Sequence, residues 1–217
     1  MAEEVNEFDK VLMKSENFVE DNQKPILIGL VAVILVVIGA LYYFMGYMPT
    51  RNQEASESMF KAEHAFEADS FKLALNGNGA TEGFLSIIDD YSGTDAANAA
   101  KAYAGVCYKN MGDTKNALSY LEDFSASDGV VKPAIYGAIG DCYWDENQTD
   151  KAIENYKKAI DSKDKLVSPI YMKRLGLLYY QQNKKDDALA QFQQVKDEYS
   201  ESIEAQDIDK FISLCGK

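Results

Sequence analysis

The side chains best suited to chemistry are few and scattered. His64 is the single histidine of the chain, in a helical stretch beside Phe60, Lys61 and Glu63. A histidine serves as metal ligand or general base when cysteine, carboxylate or further histidine recurs at ligand spacing. No such partner accompanies His64, so a partly exposed helix position is the expected reading. Cys107, Cys142 and Cys215 have no nearby histidine to activate a thiolate. Asp89, Asp90, Asp123, Asp128, Asp141 and Asp145 offer carboxylates. In a chain with 35 acidic and 22 basic residues, pairs of this kind arise without acid–base chemistry. Asn76-Gly77-Asn78-Gly79, ahead of Thr81-Glu82-Gly83, has the glycine density of a phosphate-binding loop. It lacks the closing lysine and hydroxyl and follows no strand, so a long turn between helices is expected. Asn147-Gln148-Thr149 matches a glycosylation acceptor and reads as a turn and helix start. No catalytic residue, metal site or cofactor is indicated, and the chain is not expected to be an enzyme. The net charge of −13 repels nucleic acid and anionic head groups and keeps an exposed domain in solution.

The elements that position these residues repeat. Gly105, Gly140 and Gly176 each lie three residues before a tyrosine: Tyr108, Tyr143 and Tyr179. Twelve residues after each glycine stands an alanine, namely Ala117, Ala152 and Ala188. Four further on come Leu121, Tyr156 and Phe192. A period of this length marks a solenoid of helical hairpins. In the first helix, glycine admits a partner helix and tyrosine is expected to fill the gap beside it. In the second, alanine keeps the axes close and the large residue packs on the same face. Between them, Gly112, Asn147 and Asn183 suit the left-handed conformation that ends a helix, with Thr114 and Thr149 as starters of the next. These residues, with Ala159 and Val195, resemble the tetratricopeptide repeat from about Asn98 to Ser200. Pro133 and Pro169 open hairpins here, where the family closes each repeat with proline. Ser56 to Tyr91 is read as a degenerate hairpin holding Gly83, Phe84 and Ile87. Ile208, Phe211, Ile212 and Cys215 are read as a capping helix.

Ile26 to Met45 is uncharged and apolar, about the ~20 residues that cross a bilayer core. Tyr42, Tyr43, Phe44 and Tyr47 form an aromatic collar at its carboxy-terminal end. A cleaved signal peptide has a basic leader and a small-residue cleavage site. The leader here is acidic and the run ends in bulky aromatics, so a retained anchor is expected. Gly29, Gly39 and Ala40 are the small residues available for close helix packing. Lys10, Lys14 and Lys24 precede the span, and Arg51 and Lys61 follow it, a bias toward a cytoplasmic amino terminus. The body then lies in the periplasm of a bacterium. Free cysteines are commoner in reducing compartments, which runs against this placement. Cys107 and Cys142 occupy equivalent, core-facing repeat positions too far apart for a disulfide. Val5, Phe8 and Leu12 fit either a small amphipathic helix or a frayed tail.

The expected fold is all-α, a single N-terminal transmembrane helix followed by a tetratricopeptide-repeat α-solenoid. The divisions are 1–24 cytoplasmic segment, 25–47 span, 48–97 linker helix and degenerate hairpin, 98–200 three repeats and 201–217 cap. First helices line the concave side of such stacks. The repeat register places Ala102, Val106 and Lys109 there from the first hairpin. Gly137, Asp141 and Trp144 come from the second, and Lys173, Leu177 and Tyr180 from the third. The expected protein-binding groove is Val106, Lys109, Asp141, Trp144, Lys173, Leu177 and Tyr180. Trp144 either anchors a peptide there or covers the hairpin turn.

The leader Asn17-Phe18-Val19-Glu20-Asp21-Asn22-Gln23-Lys24 running into the anchor, with a repeat body beyond, resembles YfgM-like ancillary subunits of the bacterial Sec translocon. Phe71-Lys72-Leu73-Ala74-Leu75-Asn76-Gly77, with Gly83-Phe84-Leu85 and Ile87-Ile88-Asp89, is similar to membrane-anchored repeat proteins of the Bacteroidota. The resemblance implies the SecYEG channel, a PpiD-type periplasmic chaperone and translocating polypeptides as partners, with inner-membrane lipid around the anchor. An adaptor in outer-membrane or cell-wall assembly is the alternative role on the same fold.

Overall fold

The computed structural model describes residues 13, 14, 18, 20–125 and 131–216. Val5, Phe8, Leu12 and Asp128 lie outside the described residues. The chain divides between Arg51 and Asn52 into two compact units.

The first unit holds α1, Gln23–Tyr42, followed by one π-helical turn, Tyr43–Tyr47. Gln23–Glu67 contains one helix long and apolar enough to cross a membrane. The large apolar side chains from Ile26 to Tyr47 are all 43–77% exposed. A helix at the centre of a folded core would bury such side chains. Gly29, Gly39 and Ala40 share this exposed surface. The collar is ordered by ring contacts. Tyr43 stacks on Tyr47 at 5.7 Å, and the Arg51 guanidinium lies 5.5 Å from the centre of the Tyr47 ring.

The second unit is helical hairpins throughout, with only an isolated bridge, Asn78 to Thr81, among the described residues. In order these are α2 Met48–Glu67 (its first four residues belong to the first unit), α3 Phe71–Asn76, α4 Phe84–Asp90, α5 Asp95–Asn110 and α6 Thr114–Asp123. Then come α7 Lys132–Asp145, α8 Thr149–Ile160, α9 Val167–Gln181 and α10 Lys185–Glu198. A 3₁₀ turn, Ile203–Asp207, leads into α11, Ile208–Leu214. Each helix from α3 to α11 packs on its sequence neighbour. The first helices α5, α7 and α9 also meet across hairpins.

Local chemistry explains the boundaries. Gly112, Asn147 and Asn183 have φ of +81°, +59° and +61°, the left-handed ends expected of α5, α7 and α9. Thr114 and Thr149 are the first residues of α6 and α8, but capping falls one residue earlier than expected. The Asp113 carboxylate accepts from the Asn116 N–H at 3.2 Å, while Gln148 supplies no side-chain cap. The glycine-rich stretch is a tight crossing of backbone. A Cβ on Gly77 would lie 2.2 Å from the Thr81 carbonyl oxygen, and one on Gly83 2.3 Å from the Gly77 nitrogen. Its composition is thus explained by chain geometry, as the interhelical-turn reading requires.

One packing expectation is corrected. The tyrosine three residues on does not fill the gap beside each repeat glycine. Cβ positions built on Gly105, Gly140 and Gly176 would lie 2.6, 2.6 and 2.5 Å from Leu121, Tyr156 and Phe192. Those are the large residues of the second helices, all fully buried. A helical tyrosine three positions from glycine points along its own helix face and cannot turn into the crossing. Tyr108 instead stacks on Tyr120 at 5.5 Å, and the Tyr143 hydroxyl donates to Glu122 at 2.8 Å.

Cys107 and Cys142 are fully buried and Cys215 nearly so, all as free thiols. Burial pushes Cys107 and Cys142 up to about 12. At pH 8 that leaves roughly 10⁻⁴ of each as thiolate, the reactive form. Alkylation of the folded protein at pH 8 is therefore expected to spare both, and to reach them only in denaturant. Mass spectrometry after iodoacetamide treatment checks this. Rapid native labelling of Cys107 or Cys142 would mean the hairpins open readily.

Candidate functional site

Side chains of α5, α8 and α9 converge on one carboxylate of α7. Asp141, on α7, keeps a side-chain exposure of 12%. Lys109 of α5 reaches it at 3.1 Å, and Arg174 of α9 donates to the same oxygen through a short contact. The Tyr156 hydroxyl of α8 donates to the other oxygen at 2.9 Å. Four helices from three successive hairpins thus share one acceptor.

Aromatic rings complete the site. Tyr156 stacks on Tyr171 at 5.6 Å. Trp144 meets Tyr156 edge-on at 6.2 Å, and the Arg174 guanidinium lies 5.3 Å from the Tyr171 ring centre. Tyr171 is accommodated because position 137 is glycine. A Cβ there would fall 1.7 Å from the Tyr171 ring. The surroundings shift the ionisable groups. Burial, then the negative charge of Asp141, pushes Tyr171 up to about 12 and Tyr156 higher still. Burial opposes the Arg174 charge, but hydrogen bonding and attraction to Asp141 outweigh it and the guanidinium is held more firmly protonated. Both phenols therefore stay neutral donors at ordinary pH, and two cations face one anion.

The expected groove residues separate into groups. Lys109 and Asp141 pair directly, Trp144 joins them through the Tyr156 ring, and Gly137 lies beneath Tyr171. Val106 packs half-buried with Ile135 and Ile139 of α7 in the core between the first two hairpins. Lys173 turns toward the carboxy-terminal cap, 2.5 Å from Asp207, with its ammonium 4.7 Å from the Phe211 ring centre. Leu177 and Tyr180 are half-buried in the cluster around Phe192 and Ile208. Arg174 and Tyr171 are not marked by the repeat pattern, and Tyr156 is marked there only as a packing residue. The signal for Arg174 was alternation of charge at nearly the repeat spacing, positive at 109, negative at 141 and positive at 174. The repeat register points instead to Lys173 next door. No three histidine, cysteine or carboxylate groups gather at metal-binding distance among the described residues. The arrangement orients polar donors and flat rings, with no nucleophile beside a base. His64 is exposed on α2.

Comparison with known proteins agrees with this architecture. Tetratricopeptide-repeat family profiles match residues 99–127 and 138–203. No curated protein matches the sequence. Among solved structures, putative kinesin light chain nearly identical TPR-like repeats from Podosopora anserina superpose with a TM-score of 0.58 at 12% identity, covering 76% of this chain and 86% of that one. A single-substitution variant of the same protein gives 0.59 and 12%, covering 76% and 85%. At that identity the likeness establishes fold: an all-α tetratricopeptide-type stack preceded by one long apolar helix. Such repeats are scaffolds for protein–protein contact and typically non-catalytic.

Proposed function

We propose that this tetratricopeptide-repeat protein is a membrane-anchored scaffold that holds extended segments of other proteins on the inner face of its stack. The single observation carrying the reading is the coexistence of two features. One is an apolar helix whose large side chains are all exposed, Ile26 to Tyr47. The other is a repeat body whose first helices present Lys109, Trp144 and Arg174 around Asp141. An apolar surface of that length is stable in lipid and costly in water. Rings with a polar edge and fixed charges suit transient contact with extended, partly apolar chain.

The more specific role is that of an ancillary subunit or chaperone adaptor of the SecYEG translocon, beside a PpiD-type chaperone. The anchor sits in the bacterial inner membrane with the amino terminus cytoplasmic and the body periplasmic. The lysines before the span support this orientation, and the aromatic collar supports a retained span. Native membranes solubilised in mild detergent, with the full chain as bait, test this. Channel subunits in the eluate support the role; wall or outer-membrane assembly enzymes in their place refute it. Protease added to intact spheroplasts should digest the body and spare the leader.

The groove is tested separately. Replacing Trp144 by alanine in the full chain is expected to weaken binding of a captured partner by about tenfold, the scale of removing an aromatic contact at an interface, with helical circular dichroism unchanged. Undiminished binding would move the contact to another face or to the anchor.

A further inference from the structure

A second surface, built from residues other than those of the Asp141 site, lies at the open end of the last hairpin, opposite its turn. The loop before α9 and the connection from α10 into the 3₁₀ turn enclose a recess of about 470 Å³. Leu166, Ile170, Tyr199 and Ile203 form its apolar lining. Leu166 is 79% exposed and Ile203 77%, values that belong to surface loops but rarely to two large apolar residues facing one hollow. Neither is loosely held. The Asp164 carboxylate accepts from the N–H groups of Leu166 and Val167, both at 2.8 Å. On the other wall, the Ser202 N–H donates to the Tyr199 carbonyl at 2.9 Å, and the Ser202 hydroxyl accepts from the Ala205 N–H at 3.2 Å.

The rim carries a definite charge. Glu198, Glu201 and Glu204 line the recess together with a single cation, Lys165. Among the described residues none of the three glutamates is in a salt bridge, although Glu198 accepts from Gln194 at 3.2 Å. An apolar hollow with an acidic rim selects for its opposite. A second copy of this chain, with net charge −13, is disfavoured by repulsion.

We infer that this recess docks a partner segment in which one or two large aliphatic residues are flanked by lysine or arginine. The aliphatic side chains cover Leu166 and Ile203, and the basic residues meet Glu201 and Glu204. The site is independent of the inner face and gives the scaffold a second point of attachment.

The test uses the full chain in detergent micelles and a short fluorescein-labelled peptide with a central Leu-Leu pair flanked by lysines. A glutamate-flanked version serves as control, and fluorescence anisotropy reads binding. The lysine peptide should bind in a salt-sensitive manner and the glutamate peptide at least about tenfold more weakly. Leu166→Ser with Ile203→Ser should weaken binding by about tenfold or more, with the melting temperature unchanged because both side chains are exposed. Glu201→Lys with Glu204→Lys should do the same. Glu54→Lys with Asp145→Lys, an equal change of net charge elsewhere, should leave binding intact. The inference is overturned if the lysine peptide does not bind, if the serine variants bind as wild type does, or if both charge reversals weaken binding equally. Concentration-dependent dimerisation lost in the serine variants would overturn it in favour of self-association.

Discussion

Gly140→Val is expected to destabilise the repeat body by about 3 kcal/mol, the upper part of the range for overpacking a filled core. The Cβ would lie 2.6 Å from Cδ1 and 2.7 Å from Cε1 of Tyr156. That ring has nowhere to retreat. It is fully buried, Tyr171 stacks on it, and Asp141 holds its hydroxyl. Gly140→Ala meets the same ring, but alanine regains about 1 kcal/mol of helix propensity, so its net cost is smaller. Gly79→Ala, with nothing within 4 Å of the new Cβ, should be nearly silent. For a domain of this size 1 kcal/mol corresponds to roughly 2–4 °C. The valine variant should therefore melt about 6–12 °C lower, by circular dichroism of the full chain in detergent. An unchanged melting temperature would mean the helix crossing is not as close as drawn, and would undo the pairing of glycine with the large residue sixteen positions later.

That pairing shows how far the fold was legible. Period, helix order and left-handed ends could be read because each depends on residues close in sequence: Gly112, Asn147 and Asn183 act on their own backbone, and Ala117, Ala152 and Ala188 recur at fixed spacing. The correction at Gly105, Gly140 and Gly176 concerns a contact between helices. Sequence spacing names the candidates for the gap but not the rotation of one helix about the other, so the nearer tyrosine looked as suitable as the distant residue. Capping at Asp113 instead of Thr114 is a one-residue matter of the same kind, because both side chains can accept a backbone N–H.

The site was legible by halves, for a related reason. Lys109 and Trp144 hold equivalent positions in the repeat register and Asp141 lies one turn before Trp144; the structure pairs Lys109 with Asp141 and sets Trp144 against Tyr156. Lys173 and Arg174 are adjacent, so helix geometry sends them about 100° apart. Whichever faces Asp141, the other must leave it. The register favoured Lys173, whereas the folded chain gives that lysine to Asp207 and the arginine to Asp141. Two influences outside the repeat pattern decide this. Asp207 belongs to the cap beyond the repeats, and the Tyr171 ring offers a flat face that suits a guanidinium better than an ammonium.

Asp141→Ala is expected to cost the body about 2–3 kcal/mol. Removing the shared acceptor strands Lys109, Arg174 and the Tyr156 hydroxyl at once. Breaking a buried ion pair on one side costs about 3–5 kcal/mol; Arg174, at 38% side-chain exposure, recovers part of its hydration, which places the estimate lower. A second change separates desolvation from packing. Lys109→Met and Arg174→Met in the Asp141→Ala background remove the stranded charges, so much of the lost stability should return. If that triple variant is stable yet no longer holds a partner, the charges serve recognition. Alkaline unfolding gives an independent readout. Tyr171 is raised to about 12, so its contribution is complete below the unfolded value near 10 and is lost as pH climbs toward 12, because the unfolded chain releases its proton first. Asp141 is the second cause of that rise, after burial, so the alanine variant should show a smaller loss of stability across the same interval. A melting temperature and alkaline profile identical to wild type would mean that water, and not Asp141, solvates the two cations, and that apolar packing alone joins the three first helices.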